Sequence, residues 1–384
     1  MADSTTLSTE LAAEMASEAW PALAWSDLEA CAQFDLIACS LVIGGMALLG
    51  MIGNGLSGWV LRCYHAQSTT VTTLQALAIS DSVLLCSALL VYTLPALSTF
   101  ATQNEAAPWL HELTDAVDFY VWPVAMTAHT CTVLLTVLVS LTRYWAVCCM
   151  VEGKEAVPEW KVRAYTAVVF LFSVVFNVPR YFEHHSISLM AIDDYSNHSA
   201  LYTSNLMLRQ QGDNASFISI NLGDVRAYQI AYSNVLYFVV MYLFPFAALA
   251  YLNLKLVRTE RKVRMIRMHR TTRPVKDNIT HIVVCIVVVF VVCQTPALVN
   301  QALWAVGAPE CGSFHFYFTR VCDVLVVLNS SSNFVVYSLL GRSFRQTFVE
   351  SLRGGRKRTS SATSRPLLHL SSDKDQIRFQ MSPV

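Results

Sequence analysis

Residues 121 to 147 read VWPVAMTAHTCTVLLTVLVSLTRYWAV, and the only formally charged side chain among them is Arg143, near the far end. An α-helix rises about 1.5 Å per residue and about 20 apolar residues cross a bilayer, so this run is long enough to span one. It is not a plain anchor. His129 and Thr130 put polar groups in one half, and Arg143-Tyr144 closes the other. Polar groups in hydrocarbon are costly unless they face protein or water, so this helix is expected at the centre of a bundle.

The rest of the chain supplies the partners. Of its 384 residues, 54% are hydrophobic and 14% charged, where a soluble domain carries about 25% charge. Continuous apolar runs recur near residues 36–61, 71–97, 116–147, 164–178, 230–256, 279–306 and 321–340. Their length excludes the short alternating segments of a barrel. The expected fold is an all-α membrane protein, a seven-transmembrane helix bundle. Residues 1–33 form a short acidic outer tail, 34–352 the bundle with an amphipathic helix, and 353–384 a cytoplasmic regulatory tail.

Zero net charge hides a segregation. With the first tail outside, 23 Lys and Arg fall inside and four outside, while 18 of the 27 acids fall outside. The positive-inside rule therefore places the N-terminus outside, and an acidic outer face suits a cationic ligand. The basic stretch RTERKVRMIRMHRTTRPVK reads as a helical extension and a contact for anionic lipid. Nucleic acid binding is not expected of a loop held at a membrane. The eleven cysteines show no metal-ligand spacing. Cys31, Cys39, Cys311 and Cys322 lie near the outer face, with Cys31–Cys311 one candidate bridge.

Taken in order, the spans carry distinct polar marks. In GMIGNGLSGWVL of the first, Gly50, Gly53, Gly55 and Gly58 are expected to let neighbouring backbones approach, with Asn54 among them. In the second, Asp81 is a lone intramembrane carboxylate, for which an ion is the default partner. The fourth ends in FNVPRYFEHH, where Pro179 breaks the helix and Arg180, Glu183, His184 and His185 mark the aqueous rim. The outer loop that follows carries glycosylation sequons at Asn197 and Asn214. Pro245 and Pro296 weaken the fifth and sixth spans, and Pro296 would let the inner end of the sixth swing. The seventh crowds Asn329, Ser330, Ser331, Ser332 and Asn333 at mid-membrane, where Asp81 is the charge for them to face. In GRSFRQTFVESL, Phe344, Phe348 and Leu352 recur every four residues, an amphipathic eighth helix on the inner leaflet. Beyond it, Thr359, Ser360, Ser361, Thr363 and Ser364 are candidate phosphorylation sites.

These stretches, over about residues 36–352, resemble a rhodopsin-type (class A) G-protein-coupled receptor. NVPRYFE, CQTPAL and NSSSNFVVY further resemble invertebrate FMRFamide-type and myosuppressin-type neuropeptide receptors. The resemblance implies a sodium pocket of Asp81, Thr132, Asn329 and Asn333, with a possible Na+ at Asp81 and no other cofactor. It implies that Arg143, Tyr144 and Tyr337 couple to a heterotrimeric G protein, and that a receptor kinase and arrestin act on the tail. It also marks departures. Thr142 replaces the acid that usually restrains the inner arginine, so raised basal activity is expected; Asn253 stands where a tyrosine is usual. Asp118 occupies the usual cysteine position atop the third span, so the familiar disulfide to the second outer loop cannot form.

The expected function is a receptor, not an enzyme, at the plasma membrane, for a short amidated peptide ending in Arg-Phe-amide. The peptide arginine would reach Asp323 or Glu183, and His129, Tyr237, Gln294 and Gln301 would line the floor and wall. Ala125 stands where amine receptors carry an aspartate, and the seventh span has no lysine for a retinal linkage. The alternatives are a constitutively active receptor or an orphan with a non-peptide ligand. A transporter would show repeats or a charged pathway, and a hydrolase a nucleophile–base pair; neither pattern recurs in the spans.

Overall fold

The computed structural model describes residues 25–63, 69–102, 108–152, 157–183, 187–189, 207–210, 216–220, 225–269 and 279–353. Among them, six helices are long and apolar enough to cross a membrane: Ala30–Arg62, Thr69–Thr99, Leu113–Cys148, Glu159–Phe182, Arg226–Lys262 and Thr280–Trp304. A bent pair, Phe314–Ser331 and Asn333–Leu340, meets at 46° and makes the seventh span. The bend falls in the Asn-Ser-Ser-Ser-Asn run. Ser331 and Ser332 donate their hydroxyls to the carbonyls of Leu328 and Asn329, competing with the helical ladder where the axis turns.

Span three is the centre of the bundle: 72% of its apolar window is buried, against 22% for span four. Val133 and Leu135 are fully buried on it. Residues such as Leu49, Leu171 and Val292 are exposed on other spans, as expected of surfaces that meet lipid. A helix begins at Trp25 and leads into the first span.

Four stretches widen into π-helix: Leu36–Ile43, Leu89–Thr93, Gln229–Leu236 and Val239–Leu243. Two of them end just before Leu94-Pro95 and Phe244-Pro245. A proline ring crowds the carbonyl four residues earlier, and a wider turn relieves the crowding without breaking the helix. Pro296, by contrast, lies inside the helix Ile279–Trp304.

Span one packs on span seven through two glycines. A Cβ on Gly50 would lie 2.5 Å from Ser331 Cβ and 2.9 Å from Ser331 Cα; one on Gly53 would lie 2.9 Å from Phe334 Cβ. Gly55 and Gly58, also expected to let a neighbouring backbone approach, have open space at that position. The helical face explains the difference: only residues about one turn apart on the inner side can meet the partner.

At the outer end Cys31 and Cys311 form a disulfide with Cα atoms 6.0 Å apart. In the second outer loop Ile187–Leu189 (β1), Met207–Gln210 (β2) and Ser216–Ile220 (β3) form an antiparallel sheet ordered β1-β3-β2. Ile187 pairs with Ile220, and Met207 with Ser219. His184, His185, Asn197 and Asn214 lie outside the described residues, as do the serines and threonines after residue 353. At the inner end, the helix of span five continues to His269, so the basic extension is helical that far. The amphipathic helix Arg342–Leu352 buries Phe344 beside Tyr337, while Arg345 donates to the carbonyls of Ser338 and Leu339 at 2.9 and 2.6 Å. That caps the orphan C-terminal carbonyls of the preceding helix.

Candidate functional site

Midway through the bundle, Asp81 is fully buried. Asn333 Nδ2 donates to its Oδ2 at 2.6 Å, and Thr132 Oγ1 lies 3.0 Å from its Oδ1 and from Ser80 Oγ. Three of the four expected members of the sodium pocket therefore meet. Asn329 is buried four residues before Asn333, but the carboxylate is hydrogen-bonded by Thr132 and Asn333. Nearby on span one, Asn54 Nδ2 donates to Ser330 O at 3.0 Å, and its Oδ1 has no partner. Oxygen ligands alone suit a hard monovalent cation. Among the described residues no cluster of three His, Cys, Asp or Glu could hold a transition metal.

Above this layer, His129 on span three meets Gln294 on span six, Nε2 to Nε2 at 3.2 Å. Both are buried, and Gln294 Oε1 has no partner. The contact pairs a ring nitrogen with a side-chain amide, and which of the two donates follows from the His129 tautomer.

Arg180 departs most from expectation. It is not at an aqueous rim: it is 8% exposed. The cause is local. Asn177 donates to Thr130 Oγ1 at 3.0 Å and Tyr232 donates to Phe176 O at 2.6 Å, tying the end of span four to spans three and five. Pro179 then turns the chain into the 3-10 helix Val178–Phe182, which carries the guanidinium inward. It lies 4.9 Å from the Tyr237 ring centroid and 5.6 Å from that of Tyr232, within cation–π range. Its Nη1 meets Glu183 at 3.4 Å, and its Nε is unpaired. Glu183 is likewise inside, 12% exposed at its side chain, and accepts from Tyr228 OH at 2.8 Å. Arg180, expected at the rim, thus packs against the buried Tyr237, while His129 pairs with Gln294.

Gln301 is more peripheral, donating to Ser233 O at 2.9 Å. Asp323 belongs to a separate outer cluster. Arg320 binds Asp35 through two bonds of 2.8 and 3.1 Å and reaches Asp323 at 3.4 Å; Tyr92 OH donates to Asp323 at 3.1 Å. This cluster and the Cys31–Cys311 bridge clamp the start of span one to span seven. The only sequence signal was the Arg320–Asp323 spacing of three, which places both on one helical face.

At the inner end, Arg143 Nε donates to Thr280 Oγ1 at 2.7 Å, linking spans three and six. Thr142 turns its hydroxyl to Val139 O at 2.9 Å. Arg143 is thus tied to span six through Thr280, with Thr142 facing its own helix. Tyr144 packs among the apolar residues of spans three and five, and Tyr337 is 2% exposed with its hydroxyl unpaired. Beside Thr280 a cavity of 430 Å³ opens among Val257, Glu260, Arg261, His281 and Leu340.

A seven-span helical bundle with an amphipathic inner helix, a buried polar layer at mid-depth and an arginine tying span three to span six is a G-protein-coupled receptor. The chain belongs to the serpentine type 7TM GPCR chemoreceptor Srw family, whose model matches residues 61–355. It is 25% identical over 327 residues to the FMRFamide receptor of Drosophila melanogaster, covering 83% of this chain and 54% of that one. It is 25% identical over 328 residues to FMRFamide peptide receptor frpr-18 of Caenorhabditis elegans, covering 84% and 70%. A probable G-protein coupled receptor of the same nematode, frpr-1, is 24% identical over 346 residues, covering 86% and 82%. The chain spans about half the length of the Drosophila receptor. It is a multi-pass membrane protein, and the family it belongs to and these relatives are receptors.

Proposed function

We propose that this receptor binds a short peptide ending in Arg-Phe-amide and passes the signal to a heterotrimeric G protein. One observation carries the reading: Glu183 and Asp323 are each held by an internal arginine at 3.4 Å. Charge-assisted bonds of this kind close to about 2.7–2.9 Å when well formed. A peptide guanidinium can therefore displace either internal arginine and gain a shorter bond. Two relatives named as FMRFamide receptors support the ligand class. His129, Gln294, Tyr237 and Gln301 would contact the peptide's C-terminal end and the pocket wall.

Peptide that binds better when span six has swung outward shifts the population toward that state. The movement would break Arg143 from Thr280 and open the inner cleft around Arg143, Tyr144 and Tyr337 to the G protein. The reading places the receptor in the plasma membrane with its N-terminus outside, glycans on Asn197 and Asn214, and receptor kinase and arrestin at residues 353–384. Sodium held by Asp81, Thr132, Asn333 and Asn329 would favour the resting state. The test is G-protein activation in cells by a panel of Arg-Phe-amide peptides. A sub-micromolar response that weakens for Asp323→Asn or Glu183→Gln supports it, and silence across the panel contradicts it. The chemoreceptor description of the family favours a second reading, a non-peptide ligand; small-molecule activation with silence to peptides would establish that one.

A further inference from the structure

Resting on the peptide reading above, we infer that Asp323, rather than Glu183, takes the peptide's arginine, and that Asp35 on span one keeps Asp323 open to it by holding Arg320.

The two acids differ in what a displaced internal arginine would be left with. Arg180 lies buried at the end of span four, and among the described residues Glu183 is its only acid. Taking Glu183 from it would leave a buried charge without a counter-charge, which is strongly unfavourable. Arg320 is placed differently. Its Nε and Nη2 bind the two oxygens of Asp35 at 2.8 and 3.1 Å, a two-bond fork, and only Nη1 reaches Asp323, at 3.4 Å. Losing Asp323 therefore leaves Arg320 paired.

Charge and bonding capacity point the same way. Asp35, Asp323 and Arg320 sum to one negative charge, whereas Arg180 and Glu183 cancel. An added guanidinium neutralises the first group and would leave the second with an excess positive charge. Asp323 Oδ1 accepts from Tyr92 OH at 3.1 Å and its Oδ2 holds only the long contact, so the carboxylate has acceptor sites to spare. Its side chain is 18% exposed and that of Arg320 27%, so the pair can be reached from outside. Asp35 is fixed in turn. Cys31, about one helical turn earlier, is bridged to Cys311, and Phe34 meets the Tyr317 ring edge-on at 4.8 Å. Without the Asp35 carboxylate, Arg320 would have Asp323 alone to bind and would close on it. Asp35 is thus a positioning residue that acts on the peptide through Arg320.

The experiment compares Phe-Met-Arg-Phe-amide with the same peptide carrying citrulline, which has the shape of arginine without its charge. G-protein activation is read on the full-length receptor in cells at matched surface expression. The unmodified receptor should prefer the arginine form by about tenfold or more, the scale of one hydrogen bond to a charged group. Asp323→Asn should bring that ratio close to unity, and Glu183→Gln should leave it unchanged. Asp35→Asn should narrow it several-fold, and adding Arg320→Gln to that variant should restore it. A merely structural role for Asp35 would lower both potencies together and would not be rescued. The inference is overturned by a ratio that survives Asp323→Asn, falls with Glu183→Gln, is untouched by Asp35→Asn or is not restored by the double change. Equal potency of the two peptides on the unmodified receptor overturns it as well, and each of these results leaves the peptide reading standing. If Asp35→Asn does not reach the surface, Arg320→Gln decides: removing the competing arginine should raise the ratio, and an unchanged or lower ratio overturns the inference. Silence of the unmodified receptor to every amidated peptide overturns both readings.

Discussion

Removing the Thr280 hydroxyl should release the inner end of span six. Thr280 is 1% exposed and Arg143 9%, and the 2.7 Å bond between them is made to a charged donor. Buried hydrogen bonds to charged groups contribute about 1.5–3 kcal/mol. In the outward state the guanidinium meets water or the G protein instead, so the loss falls mainly on the resting state. Taking the lower figure, about 1.5 kcal/mol is roughly a tenfold change in the resting-to-active ratio. A receptor about 1% active at rest would then become about 10% active. Thr280→Val keeps the branched shape without the hydroxyl, and Thr280→Ser restores it. The assay is agonist-independent nucleotide exchange, normalised to surface receptor. Thr280→Val should raise basal exchange several-fold and Thr280→Ser should match the unmodified protein. Equal basal exchange in all three would refute the claim that this bond restrains span six.

Other consequences can be checked separately. Gly50→Leu forces a side chain into the contact with Ser331 and should lower thermal stability in detergent, whereas Gly58→Leu, in open space, should leave it unchanged. Cys31→Ser should lower the unfolding temperature, and Asp35→Asn should lower it further by loosening the Arg320 clamp; equal melting of all three proteins would show that the outer clamp adds nothing. If Asp81 holds sodium, raising sodium at constant ionic strength should weaken agonist binding to the unmodified receptor but not to Asp81→Asn; an effect retained in the variant would place the ion elsewhere.

The seven spans and the central place of span three were legible because an apolar length and buried polar groups are one-dimensional signals. Asp81 with Asn333 was legible too, since a carboxylate in hydrocarbon needs donors and span seven carries the densest set. What the sequence concealed depends on register between helices. Arg180 reads as a rim charge because it follows Pro179 at a span end; only the ties at Asn177 and Tyr232 show that its turn points inward. The Arg143–Thr280 bond joins residues 137 positions apart, and nothing near Thr280 marks it in sequence. The glycine stripe was half right because the sequence gives spacing without saying which face meets span seven. The loop sheet escaped notice because its strands are three to five residues long.

The central claim is tested most directly by nucleotide exchange on a heterotrimeric G protein reconstituted with the purified receptor in lipid nanodiscs, with and without Phe-Met-Arg-Phe-amide. The account predicts that peptide accelerates exchange at sub-micromolar concentration, and that the G protein in turn tightens peptide binding, as linkage requires. Exchange that is the same with and without peptide, across the Arg-Phe-amide series, would contradict it.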